Sequence, residues 1–166
     1  MMPVAAPPLT LARLATAFAA GALAVLLFHQ VAVLVIARAG IAPLRAFVFD
    51  PVAPFGIPQV MSLAFFGGLW AVVFMMIWTR FGSAIRLPFW AAAAIFGAVA
   101  PTLVAWFLVA PLKGQPIAAG FNPSRMWIGP VLNGLFGLGF GLMIPLGAKL
   151  WGDQRSGTPS PTALGD

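Results

Sequence analysis

The chain has no cysteine, no tyrosine and no glutamate, and it contains a single histidine among its 166 residues. Without cysteine there can be no disulfide, no thiolate metal site and no cysteine-ligated iron–sulfur cluster. The only acids are Asp50, Asp153 and Asp166, and none lies inside an apolar run. One histidine, one loop carboxylate and a few hydroxyls offer little from which to build an acid, a base or a nucleophile. We therefore expect no enzymatic activity and no metal site.

Charge is also scarce, at 7% of residues against about 25% in an ordinary soluble domain. The hydrophobic fraction is 61%, more than a water-soluble fold of this size could cover, so lipid is the expected solvent. The nine basic residues stand singly at the ends of apolar runs. Such spacing is typical of interface anchors, whereas nucleic-acid sites gather cations in a patch or stripe. Nucleic acid is not an expected partner.

Four apolar stretches are long enough to cross a bilayer as helices, which takes about 20 residues. We predict an all-α, polytopic membrane protein with spans at 14–37, 58–79, 87–110 and 128–150. These spans form one transmembrane domain, 1–151, and the polar tail 152–166 is expected to be disordered. A cleaved signal peptide after Ala24 is the alternative for the first span. It is disfavoured because the apolar run continues well past that point.

Basic residues in the short loops predict the orientation. Five lie on one side of the predicted bundle (Arg13, Arg80, Arg86, Lys149 and Arg155) and four on the other (Arg38, Arg45, Lys113 and Arg125). The compact, doubly basic turn 80–86 favours a cytoplasmic location for the first set, and therefore for both termini. A dual topology is the alternative.

The two loops on the other side resemble each other. Both open with Ala-Pro-Leu and a base, at Arg45 and Lys113, and both carry an acid or amide before proline, at Asp50 and Asn122. Both then enter the next helix at a proline. Shared order and spacing indicate a tandem repeat of two helical hairpins, related by an axis along the membrane normal. The alternative is that Pro and Gly simply mark loops.

The polar residues of the spans fall mainly in the half of the bilayer near these loops. Polar side chains at membrane depth normally face the bundle and hydrogen-bond one another. We therefore predict one intramembrane polar cluster, made of His29, Gln30, Ser62, Thr102 and Asn133. Adjacent helical residues are about 100° apart, so only one of the pair His29 and Gln30 can face the bundle axis.

His29 has three further interpretations besides a packed, hydrogen-bonded imidazole. It could ligate haem or bacteriochlorophyll, or it could belong to a transport pathway, since ionisable groups inside a membrane are functional candidates. A proton relay would need carboxylate neighbours, and the predicted spans contain none. The hydrogen-bonded imidazole is preferred, and with it the absence of a cofactor.

Glycines recur on the second and fourth predicted helices: Gly67 and Gly68, then Gly134, Gly137 and Gly141. Small residues let helix backbones approach closely, which is the main attraction available between helices in lipid. Internal packing of the second and fourth helices is the preferred interpretation. A surface for self-association or for a partner protein is the alternative.

These features favour a small accessory, structural or assembly subunit that associates with lipid and with other membrane proteins or itself. The alternative is a small oligomeric transporter or channel with a polar pocket in the outer half. In general pattern the chain resembles small four-helix bacterial membrane proteins, through "FHQ" in the first helix, "GIPQVMSLAFFGGLW" opening the second and "APLKG" after the third. The resemblance implies a bacterial inner membrane and carries no assigned activity.

Overall fold

The structure, a computed structural model, describes residues 9–156. The chain is mainly helical, with 77% of residues in helix, which confirms the all-α part of the predicted fold class. Helix α1 covers Leu11–Arg38, α2 Gln59–Ala84, α3 Phe89–Leu112 and α4 Ile128–Ser156. All four are long and apolar enough to span a membrane; for α4 the apolar segment is Pro123–Ala148, including the short turn before it.

At the starts of α1 and α2, and of the short turn before α4, the chain provides partners for free backbone N–H groups. The Thr10 hydroxyl accepts a hydrogen bond from the Arg13 amide at the start of α1. The Asn122 side chain accepts one from Ser124 in the short turn Pro123–Met126 before α4. At α2 the Gln59 and Val60 amides donate instead to carbonyls of the preceding loop.

The loop between α1 and α2 contains a short β-hairpin that the all-helical prediction did not include. Strands β1 (Pro51–Val52) and β2 (Ile57–Pro58) are antiparallel, with Val52 opposite Ile57. Prolines at 51, 54 and 58 cannot donate the hydrogen bonds of a helix, and Gly56 turns the chain at a φ of 65°. The tip carries Phe55, which is 82% exposed.

Helix α1 packs against both α2 and α4, and α3 packs closely along α4. Helices α2 and α3 meet mainly through aromatic rings, such as Phe74 with Phe89 and Phe96. Near the loops, Val33 and Ile36 of α1 form a second apolar cluster with Leu132 of α4. The loops 39–58 and 113–127 therefore lie at one end of the bundle, which we call the two-loop end.

The predicted tail begins inside the last helix. Helix α4 continues to Ser156, and residues 157–166 of the predicted disordered tail lie outside the described residues.

Candidate functional site

Gln30 fastens the first loop to the helix bundle. Its side chain is 3% exposed, and its Oε1 accepts a hydrogen bond of 2.7 Å from the Phe47 amide. Phe47 has a φ of 52°, a backbone conformation that residues with a large side chain rarely adopt. The buried amide therefore holds a strained loop residue above the end of α1.

Strained backbone is concentrated at the two-loop end. Within residues 9–156, the non-glycine residues with positive φ are Phe47, Ala118, Ala119 and Phe121. All four belong to the two loops. Such residues cost about 1–3 kcal/mol each and persist where the surrounding structure enforces them, often at functional sites. The two loops therefore have defined conformations that their surroundings enforce.

His29 lies at the end of a π-helical segment, Val25–His29, where the Gln30 amide donates to the Val25 carbonyl. Single π turns inside α-helices occur often at functional sites. The imidazole is half-buried, and its Nδ1 is buried with no hydrogen-bond partner among the described residues. The hydrogen bond expected for a packed imidazole is therefore not made through Nδ1.

The same observation bears on a haem or bacteriochlorophyll ligand. An imidazole that binds a metal normally donates its other ring N–H to a carboxylate, a carbonyl or water, which orients the ring. The buried Nδ1 of His29 has no such acceptor within the part of the chain that the structure describes.

Replacing His29 with leucine is expected to leave stability unchanged or to raise it by about 1–2 kcal/mol, because a buried polar atom without a partner costs about 1–3 kcal/mol. His29→Asn keeps a polar group at the same depth and is expected to be less stable than His29→Leu. The measurement is the free energy of unfolding of the purified protein in mixed micelles. A loss of stability in His29→Leu would mean that the imidazole makes a stabilising interaction.

Thr102 and Asn133 form the one direct contact within the predicted polar cluster. The Asn133 Nδ2 donates to the Thr102 Oγ1 at 2.9 Å, which joins α3 to α4. Thr102 is 2% exposed. A Cβ at Gly129 would lie 3.4 Å from the methyl group of Thr102 and 3.5 Å from the indole nitrogen of Trp106, so both side chains of α3 border a glycine of α4.

The predicted cluster is therefore divided between two places. Thr102 and Asn133 come together between α3 and α4, whereas Gln30 binds the first loop. Ser62 is half-buried on α2, and His29 makes no contact of this kind with any other member of the set. Of the adjacent pair, Gln30 is the more deeply buried.

The glycines of α2 lie against α1. A Cβ on Gly68 would lie 2.6 Å from the ring of Phe18, and one on Gly67 would collide with the side chain of Val25. Both glycines therefore mark a close approach of α1 and α2, rather than a contact of α2 with α4 alone.

The glycines of α4 lie mainly against α3. A Cβ on Gly141 would lie 2.7 Å from Ala93, and one on Gly137 would collide with the Ala93 carbonyl oxygen. Gly134 has more room, since its Cβ would lie 3.4 Å from Ala98. The glycines of α4 are thus used for packing inside the bundle, mainly against α3.

Two glycines on the facing helices were missed by sequence reasoning. Gly21 of α1 lies against the backbone of Gly67, and Gly97 of α3 lies against the backbone of Asn133 and Gly137. Each follows an alanine four residues earlier, at Ala17 and Ala93. Two small residues at this spacing are the known pattern for close helix contact in membranes, and it could have identified both.

The bundle interior away from the loops is filled by aromatic rings. Phe140 is fully buried, and its ring centroid lies 5.0 Å from that of Phe136 and 5.4 Å from that of Phe74. Phe74 also contacts Phe89 and Phe96, each at 5.3 Å. These rings occupy the interior between α2, α3 and α4.

The charges of the two-loop end are unbalanced. Asp50 pairs with Arg45 at 3.2 Å, and both side chains are exposed. Arg38, Lys113 and Arg125 are also exposed, and none makes an ion pair among the described residues. The two-loop end therefore presents net positive charge beside exposed aromatic side chains.

Comparison of the chain with protein-family models, with curated proteins and with solved structures gives no match.

Proposed function

We propose that this chain is a four-span integral membrane protein of a bacterial inner membrane. It acts there as a non-catalytic accessory, structural or assembly subunit that associates with other membrane proteins. The observation that carries the membrane assignment is the exposed apolar surface of all four helices. The bundle buries 44, 33, 28 and 39% of the most apolar window of each helix in turn. Lipid or another membrane protein must cover the rest.

Both termini lie in the cytoplasm in this proposal, and the two-loop end faces outward. Four spans place both termini on the same side, and the short turn with Arg80 and Arg86 suits the cytoplasmic side. A tandem repeat of two hairpins is supported by a phenylalanine with positive φ ahead of each pair, Phe47 three residues before Asp50-Pro51 and Phe121 directly before Asn122-Pro123. In each hairpin the first helix also contains a π segment, Val25–His29 and Ala105–Val109.

An accessory role is favoured over catalysis, and also over transport through the interior of a single bundle. Among the described residues, no three His, Asp or Glu side chains are grouped so that they could hold a metal. The aromatic rings around Phe74 and Phe140 fill the interior. A subunit that only binds its neighbours needs neither a reactive group nor a pore.

The second candidate is a small oligomeric transporter. The Thr102–Asn133 pair supports it, because a transport pathway needs polar side chains within the membrane-spanning helices. The pathway would then have to lie between bundles, since the rings occupy the axis of each one.

Native mass spectrometry tests the proposal on tagged, full-length protein released from its own membranes in mild detergent. We expect a heteromeric complex that an equally tagged, unrelated four-span protein from the same membranes does not form. A monomer without any protein partner would contradict the accessory role. A homo-oligomer carrying only lipid would also contradict it and would favour transport, with loss of flux in Thr102→Val as the next test.

A further inference from the structure

The two-loop end combines three features beyond the ends of the apolar helices: exposed aromatic side chains, unpaired cations and a defined loop conformation. The exposed apolar side chains here are large and belong to both loops or to the end of α3: Ile41, Phe49, Phe55, Leu112, Ile117 and Phe121. Single exposed apolar residues need no explanation, but a group at one end of a bundle marks an interaction surface.

The loop is held in a way that keeps Phe55 exposed. The hairpin β1–β2 is tied to the first turn of α2 through the Gln59 amide, which donates to the Asp50 carbonyl at 3.0 Å. At the other side of the loop, the Phe47 amide donates a hydrogen bond to the Gln30 side chain. Both anchors bind backbone amides at the base of the loop, the Gln59 amide through a backbone carbonyl and the Phe47 amide through the Gln30 side chain, so the loop is fixed where it leaves the bundle.

The net positive charge of the two-loop end indicates the kind of ligand that binds there. The loops and helix ends here carry Arg38, Arg45, Lys113 and Arg125 against one acid, Asp50, which is already paired with Arg45. Three cations therefore have no anion within the described chain. Aromatic rings beside basic side chains at the end of a membrane span are the combination that lies at the level of lipid headgroups.

We propose that the two-loop end is a docking site for anionic phospholipid headgroups, with the Phe55 tip inserted at the bilayer interface and Arg38, Lys113 and Arg125 binding lipid phosphates. The inference rests on the membrane insertion proposed above. It does not rest on the accessory role. A cation near an anionic surface contributes about a fivefold gain in binding, so three contribute on the order of 100-fold.

The test uses the purified full-length chain in micelles that contain phosphatidylglycerol and phosphatidylcholine, with bound lipids counted by native mass spectrometry. We expect phosphatidylglycerol to be retained preferentially. The combined variant Arg38→Gln, Lys113→Gln and Arg125→Gln should lose most of that preference. The control Arg80→Gln with Arg86→Gln, at the opposite end, should keep it. Equal retention of both lipids by the unaltered chain, or an unchanged preference in the triple variant, would overturn the proposal.

A second measurement determines the depth of the Phe55 tip in the bilayer, and it does not depend on the cations. Because the chain has no cysteine, a nitroxide can be attached to Phe55→Cys alone, or to Gln115→Cys as an exposed control at the same end. In phosphatidylglycerol vesicles the label at 55 should lie below the phosphates, while that at 115 stays in water. A label at 55 that is open to water in these vesicles would overturn the insertion of the tip. Both experiments use the chain without partners, so they can fail while the accessory role stands.

Discussion

Replacing Gly137 with alanine is expected to destabilise the bundle by about 2–3 kcal/mol, the upper part of the range of about 1–3 kcal/mol for an overpacked core. The new Cβ would collide with the Ala93 carbonyl oxygen and lie 3.0 Å from the Cα atoms of Ala94 and Gly97. All of these are backbone atoms, so no side-chain rotation can relieve the contact. Helices α3 and α4 would have to move apart, and close backbone approach is the main attraction between helices in lipid.

Gly134→Ala is the matched control, one turn earlier on the same helix. Its Cβ would lie 3.4 Å from the Cβ of Ala98, an ordinary contact, and alanine favours a helix over glycine by up to about 1 kcal/mol. Stability should stay the same or rise. The measurement is helicity by circular dichroism as sodium dodecyl sulfate replaces a mild detergent. Equal midpoints for the two variants would show that α3 and α4 do not approach as closely as the structure places them.

Replacing Gln30 with leucine is expected to cost about 2 kcal/mol, within the range for a buried donor that loses its partner. The Phe47 amide would have no acceptor, and the positive φ of Phe47 would lose the hydrogen bond that holds it. Leucine fills a similar volume, so the loss comes from the hydrogen bond more than from packing. We expect the first loop to detach from the end of α1 while the four helices remain.

Gln59→Leu serves as the comparison for this variant. Gln59 is exposed, and its backbone amide keeps its bond to the Asp50 carbonyl whatever the side chain. Detergent titration measures the stability of each variant, and hydrogen exchange at the Phe47 amide reports the loop directly. Exchange at Phe47 should rise strongly in Gln30→Leu and not in Gln59→Leu. An unchanged rate in Gln30→Leu would mean that the side chain does not hold the loop.

The helices could be predicted because their cause is local. A run such as 14–37 has no charge and enough length to cross a bilayer. In lipid, the backbone N–H and C=O groups of such a segment can hydrogen-bond to one another only in a helix. The structure has Leu11–Arg38 there. The glycine positions Gly67, Gly68 and Gly137 were also visible as small residues on apolar helices, since helix packing in lipid requires them.

The partners of these residues could not be predicted, because a partner depends on how each helix is rotated and what lies across from it. The π segment Val25–His29 adds a residue to one turn and changes the face that Gln30 presents. Gln30 then meets a loop amide instead of the other polar side chains, while Asn133 meets Thr102. The hairpin at Phe55 likewise depends on contacts with α2 that no hydropathy pattern records. Hydropathy and length dictate which segments are helices, and only the packed bundle determines which side chains and amides meet.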